Sequence, residues 1–354
     1  MEKTIKRKYV KIILMNVFLF ILLLSIYEGY MYVLVRSPKL LEMCPRKIQN
    51  SIGYLYAWGY RNIIQFTPEC AIYDKGLGYT LRPGSCVFSG REFSNTYYVN
   101  SVGVRDDEAS LHHPQIIVAG DSVAMGWGVN QEETYAQLIE KKFGAPVLNA
   151  AVSSYGTARE MAMLARVQTD KLRYLIVQYS GNDYGENKQF YLDNNVLNTM
   201  TEEKYNYYTD LYNRSKSYFL GKYLLMKIKK RIREFKTTDE AEASYQLDKD
   251  EIGFFLNALI HGPVDLNGVQ IIAFAVSGRN PADNIDFTKN LKERILTQNL
   301  PPFIKNMIVP DTSTILKQNH FYVLDDHPNR SGHEVMADEI IKAIENEETR
   351  EKKL

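Results

Sequence analysis

Residues 115–129, QIIVAGDSVAMGWGV, restrict the possible folds of this chain more than any other stretch. Four consecutive apolar residues, Ile116 to Ala119, run into Gly120-Asp121-Ser122, with Gly126 and Gly128 close behind. A short apolar run without alternation, ended by a glycine break, is the pattern of a strand buried on both faces of a parallel sheet. Open parallel sheets hold their ligands at the carboxyl ends of the strands, and Ser122 falls there. A helix starting at Ser122 would also turn backbone N–H groups toward that edge, ready for negative charge. Taken alone, the tripeptide reads equally well as a capped strand-to-helix turn. The residues downstream decide between the two.

Downstream, the pattern alternates. The spacing of Tyr135, Leu138, Ile139 and Phe143 predicts a helix over 132–143, and a short strand follows at 146–148. Thr157 is placed to cap a helix over 157–168. The run RYLIVQY predicts a strand over 173–179 that ends on Ser180-Gly181-Asn182-Asp183. After an interruption, a helix over 251–260, a strand over 269–276 and a helix over 286–296 resume the rhythm. A short apolar run at 321–324 and a helix over 331–345 complete it. This order predicts an α/β fold, a three-layer α/β/α sandwich with a central parallel sheet (flavodoxin-like). Such topology gathers the loops that follow the strands on one edge. Ser122, the 150–156 turn, Asn182 and the 324–329 loop are therefore expected to converge.

The N-terminus carries a different signal. Lys3, Lys6, Arg7, Lys8 and Lys11 precede an apolar run from Ile12 to Val35 that holds one acidic residue, Glu28. Crossing a bilayer takes about 20 residues, so the run is long enough. Tyr27, Tyr30 and Tyr32 suit an interfacial aromatic belt, and the basic residues in front predict a cytoplasmic N-terminus. No small-residue cleavage site is visible, which favours a retained single-pass membrane anchor over a removed signal peptide. The expected organisation is thus a cytoplasmic tip and transmembrane helix at 1–36, and a stalk with small β elements at 37–110. An α/β domain at 111–347, with an insertion at 184–250, lies outside the cytoplasm, and a charged tail closes the chain at 348–354. Within the insertion, residues 218–235 mix apolar and basic side chains, as in a lid or packing helix with a solvated face or in a membrane-surface helix. In an exported chain Cys70 and Cys86 could pair as a disulfide, leaving Cys44 alone; three unrelated thiols is the other reading. Lys and Arg number 43 against 42 Asp and Glu, a balance that argues against a nucleic-acid partner.

The converging loops hold the parts of an acyl-transfer site. A serine hydroxyl needs a base within hydrogen-bond reach, and histidine is the usual one. His327, in Asp325-Asp326-His327-Pro328-Asn329, follows an apolar run and precedes a helix start. Asp325 or Asp326 would hold its imidazole. Ser122 N–H, Gly156 N–H and the Asn182 amide are the candidate donors to an oxyanion. No cluster with metal-ligand spacing stands out, so neither metal nor cofactor is expected.

Taken in order, Gly120-Asp121-Ser122, Gly156, Gly181-Asn182-Asp183 and Asp325-x-His327-Pro328 resemble the SGNH, or GDSL-like, hydrolase superfamily over roughly residues 100 to 344. The pieces Asn100-x-x-Gly103-x-Arg105 and Gly126-Trp127-Gly128-Val129 look like a membrane-anchored bacterial branch of it. The resemblance implies metal-free ester chemistry with Ser122 as nucleophile, His327 as base, and Ser122 N–H, Gly156 and Asn182 as the oxyanion hole. Many members carry the acid three residues before the histidine, and that position is Leu324 here. Asp325, two before, matches an Asp-x-His variant found in branches that include polysaccharide O-acetyltransferases. The leading expectation is a membrane-anchored serine esterase or deacylase acting on an ester-bearing small molecule, lipid or glycan, such as an O-acetyl group of the envelope. An O-acyltransferase working on an exported polysaccharide, or a silent binding module on the same fold, are the alternatives.

Overall fold

A computed structural model describes residues 2–241, 250–276 and 281–353. The end of the expected insertion, 242–249, and the terminal residues Met1 and Leu354 lie outside the described residues. In chain order the elements begin with α1 (Glu2–Arg36), α2 (Pro38–Glu42), α3 (Arg46–Gly59), β1 (Ala71–Ile72), β2 (Thr80–Leu81), β3 (Gly84–Ser89) and β4 (Ser94–Val99). Then come β5 (Ile116–Ala119), α4 (Ser122–Met125), α5 (Tyr135–Phe143), β6 (Val147–Asn149), α6 (Thr157–Leu164), β7 (Tyr174–Tyr179), α7 (Asp183–Leu192) and α8 (Glu202–Ser215). The chain ends with α9 (Lys222–Ala241), α10 (Glu251–Ile260), β8 (Gln270–Ala275), α11 (Pro281–Thr297), α12 (Pro302–Lys305) and α13 (Arg330–Glu351). They form two compact units, residues 1–61 with 214–248, and residues 62–213 with 249–354. The stretch 37–110, read from the sequence as one segment, divides between them after residue 61, and the 184–250 insertion divides after residues 213 and 248.

The first unit is helical. Its α1 contains a stretch, Lys6–Arg36, with mean hydropathy 2.4 in its most apolar window and no burial of that window. That stretch is long and apolar enough to cross a bilayer.

The second unit is the expected sandwich. Its sheet is parallel throughout, in the order β6-β5-β7-β8. Counted in chain order the strands run 2-1-3-4, as in a flavodoxin-like sheet, and a lone parallel bridge from Ile308 to Ile272 stands where a fifth strand would lie. Every residue of β5 and of β7 is buried, which explains why β5 is wholly apolar and β7 apolar but for Gln178. One helical group packs α5 on α13, and another packs α6, α7 and α10 together. Two antiparallel pairs, β1–β2 and β3–β4, precede the sheet, and Cys70 is bonded to Cys86 of β3 with their Cα atoms 5.4 Å apart. Cys44 is a free thiol.

Two local expectations need correction. The helix expected from 132 starts at Tyr135. Residues 131–133 form a tight turn, and Thr134 Oγ1 accepts the Gln137 N–H at 3.3 Å as the cap. The apolar run at 321–324 is no strand; it makes only one bridge, Phe321 to Pro328. The reason is Glu92, whose carboxylate takes the N–H groups of Val323, Leu324 and Asp325 at 2.7, 2.9 and 2.8 Å, so no ladder partner can use them.

Candidate active site

Ser122 is set by a tightly built turn at the end of β5. Gly120 has φ 153°, and a Cβ there would lie 2.6 Å from Ala124 Cβ and 2.9 Å from Gln178 Oε1. Only glycine fits. Gln178, fully buried on β7, accepts the N–H of Asp121 at 3.4 Å and of Ala124 at 3.2 Å. The Asp121 side chain caps α4 by accepting the Val123 N–H at 2.9 Å. Burial pushes the Asp121 carboxyl up; the Val123 N–H, the facing His327, Ser180 and Asn182 pull it back down. Ser122 thereby becomes the first residue of one helical turn. Among the described residues, nothing accepts its N–H.

The other half arrives on the turn before α13. Ser122 Oγ and His327 Nε2 are 2.7 Å apart, and His327 Nδ1 lies 2.5 Å from Asp325 Oδ1. Asp325 is 1% exposed, whereas Asp326 is half exposed and its nearest oxygen stands 3.9 Å from Nδ1. Trp127 stacks on the imidazole, ring centres 4.6 Å apart and planes 12° from parallel, and its Nε1–H donates to Asp325 Oδ2 at 3.1 Å. Both oxygens of the buried carboxylate are thus directed, one to the histidine and one to the indole.

Three groups hold this turn and its neighbour. Tyr322 donates its hydroxyl to Gly128 O at 2.6 Å, and its N–H goes to His327 O at 3.0 Å. Arg105, 1% exposed, spans the loop after α4, donating to Met125 O at 3.2 Å and Val129 O at 2.7 Å, with its guanidinium 3.7 Å above the Tyr97 ring. The two outlying motifs of the sequence are therefore one another's partners. Glu92, on the β3–β4 turn, clamps the acid–base segment through the three N–H groups noted above. Burial raises its carboxyl, the three N–H donors lower it, and nearby Asp325 raises it again. Glu92→Gln turns an N–H₂ toward backbone donors. That variant is expected to lose roughly 1–3 kcal/mol of stability for the unsatisfied donors and about tenfold in kcat, with KM little changed. Urea unfolding and p-nitrophenyl acetate kinetics check both, and unchanged kcat would show that the turn needs no clamp.

The expected oxyanion donors are not all open. Gly156 N–H already donates to Glu186 Oε1 at 3.1 Å, and a Cβ at Gly156 would lie 2.9 Å from Glu186 Cβ. Asn182 is exposed; its Nδ2 makes a long contact, 3.4 Å, to Asp183 Oδ1, and its side chain also faces the Asp121 carboxyl. Within the 150–156 loop it is Ser154 that takes a left-handed backbone, φ 60°. Its Oγ accepts from Gln65 Nε2 at 3.0 Å, and among the described residues its N–H meets no acceptor. The loop runs beside the end of β5, since Val152 N–H donates to Gly120 O at 3.2 Å. Behind it sit buried acids. The carboxyls of Glu160 and Asp183 are both pushed up, first by burial; nearby Asp121 and Glu186 raise both further, and Glu160 also raises Asp183.

Among the described residues Asp325, Asp326 and His327 place ligand-type atoms within 4.8 Å of one another. Both ring nitrogens of His327 are engaged there, Nδ1 by Asp325 and Nε2 by Ser122.

No protein-family model matches the sequence, and no curated protein matches it significantly. Similar solved structures include a protein described as a lipolytic member of the G-D-S-L family from Desulfitobacterium hafniense, 13% identical, covering 64% of this chain and 98% of that one, TM-score 0.36. Another is described as an acylhydrolase from Bacteroides fragilis, 12% identical over 68% and 93% of the two chains, TM-score 0.35. A third is a carbohydrate esterase family 2 enzyme with its carbohydrate-binding domain from Corynascus thermopiles, 13% identical over 65% of each chain, TM-score 0.36. With TM-scores this low, any assignment of chemistry rests on the geometry of the site itself.

Proposed function

We propose that this chain is an SGNH-type serine esterase or deacylase, anchored by α1 and working on the outer side of a membrane. The observation that carries the reading is the continuous line of hydrogen bonds from Asp325 through His327 to Ser122. Ser122 Oγ attacks the ester carbonyl carbon while His327 Nε2 takes its proton. Asp325 keeps the Nδ1 proton in place and stabilises the imidazolium. The carbonyl oxygen, now negative, is received by Ser122 N–H and Asn182 Nδ2. Ser154 N–H joins them in place of Gly156, whose N–H is spent on Glu186. Collapse of the tetrahedral adduct expels the alcohol, which takes the proton from His327 and leaves an acyl ester on Ser122. Water, deprotonated by His327, attacks that ester in turn and frees the acid and the serine.

The apolar length of α1, the basic residues before it and the Cys70–Cys86 bond support an exported, anchored chain. An acid-quenched reaction of the full chain with p-nitrophenyl acetate tests the chemistry. The peptide containing Ser122 is expected to gain the mass of one acetyl group, lost again on longer incubation. Turnover with no acyl group ever found on Ser122 would refute the covalent route.

A further inference from the structure

The first unit carries a surface that ester chemistry does not use. Glu28, the one acidic side chain in the apolar part of α1, is fully buried. Its carboxylate accepts the N–H of Leu224 at 3.0 Å and of Tyr223 at 3.4 Å, in the first turn of α9, and the Tyr218 hydroxyl at 3.3 Å. An anion at a helix N-terminus is favourable, so this contact ties the start of α9 to one level of α1. A second contact joins the same two helices, and another ties α9 to the end of α3. Arg36 Nη1 donates to the Tyr223 hydroxyl at 3.3 Å, and Lys222 Nζ donates to Gly59 O and Ser217 O at 3.1 and 3.0 Å. Where α1 crosses a bilayer, a helical stretch of about 30 Å counted from Tyr9 reaches the neighbourhood of Glu28. The start of α9 then sits at the outer edge of the hydrocarbon.

The inner face of α9 is occupied by protein: Tyr223 is buried, and Lys230 lies 4.4 Å above the Tyr54 ring. Its other face is apolar too. Leu225, Ile228 and Ile232, spaced as one helical stripe, are 39%, 46% and 52% exposed, and Phe219 and Leu220 in the preceding turn are each 53% exposed. Exposed Lys229 and Arg231 flank the stripe, and residues 216–233 contain no acidic side chain. Apolar area flanked by basic side chains suits the headgroup zone of an anionic leaflet.

We propose that the outer face of α9, with the 218–220 turn, lies in the headgroup region of the bilayer that α1 crosses, as an interfacial helix on anionic lipid. The proposal rests on the anchor reading of α1. The test uses the full chain with Cys44→Ser in vesicles of phosphatidylcholine and phosphatidylglycerol, carrying an environment-sensitive fluorophore on a single new cysteine. Leu14→Cys reports on the anchor, Ile228→Cys on α9 and Lys342→Cys on water. The Leu14 probe is expected to be quenched by deep nitroxide lipids. The Ile228 probe is expected to be quenched by shallow nitroxide lipids at least about twofold more than the Lys342 probe, with the excess roughly halved in vesicles lacking the anionic lipid. A quenched Leu14 probe with an Ile228 probe like Lys342 would refute the docking of α9 and leave the anchor standing. An unquenched Leu14 probe would remove both. An Ile228 probe shielded from water but not quenched, together with disulfide pairing of two chains through that cysteine, would mean that a second copy covers the face instead. Equal quenching without phosphatidylglycerol would overturn the anionic preference.

Discussion

Ser122→Ala is expected to lower p-nitrophenyl acetate turnover by roughly four to six orders of magnitude. The change removes one oxygen from a side chain whose Oγ contact is His327 Nε2 at 2.7 Å, and it leaves the capped turn at Gly120 and Asp121 intact. Thermal unfolding should therefore stay where it is, so a lost rate cannot be put down to a lost fold. His327→Ala should cost a similar factor. Because the two groups act in one proton transfer, the double variant should be no slower than either single one. A fluorophosphonate probe should label the parent chain at Ser122 and leave both variants unlabelled. Equal turnover by parent and Ser122→Ala would end the nucleophile assignment, whatever the distances in the site.

Much of this site was legible because its parts lie where a period or a break in the sequence points. The apolar β5, and β7 with its single polar residue Gln178, read as strands covered on both sides, and the glycine break after β5 pointed to Ser122. His327 was found by its neighbours rather than by any period, and the structure brings its ring to Ser122 although no strand precedes it. The parts that stayed hidden are those whose role is a long-range hydrogen bond. Nothing around Glu92 in the sequence marks it as the acceptor of three N–H groups some 230 residues away. A carboxylate in a hairpin turn reads as solvated, and no alternation or spacing distinguishes the two cases. Gln178 was hidden for a related reason, being a polar residue inside an apolar strand whose partner turn is contributed by another strand. Gly156 illustrates a different limit. A glycine invites the reading of an open N–H, yet the left-handed position in that loop belongs to Ser154, and a serine gives no hint of φ 60°. The contact of Glu28 with the start of α9 was equally out of reach, since some 196 residues separate the two.

Asp325 and Asp326 offer a sharper experiment than either alone. The two carboxylates are adjacent in sequence and chemically identical, and only their placement differs. Asp325 is buried, 2.5 Å from His327 Nδ1 and bonded to Trp127; Asp326 is half in solvent at 3.9 Å. A charge at the longer distance and in water is screened to a small fraction of its Coulomb energy. Asp325→Asn keeps the shape but presents either an amide N–H₂ to Nδ1, forcing the proton onto Nε2 where Ser122 needs an acceptor, or an uncharged oxygen too weak to stabilise the imidazolium. Turnover is expected to fall by about three to four orders of magnitude, with KM little altered. Asp326→Asn is expected to change kcat by no more than about threefold. Trp127→Phe probes the same carboxylate from its other side. It keeps most of the stacking on the imidazole and removes the Nε1–H donor, so its cost should lie between the two, on the order of tenfold. Should Asp326→Asn prove the damaging change and Asp325→Asn the mild one, the histidine must turn toward solvent during the reaction, and the orientation that places Nε2 on Ser122 would not be the working one.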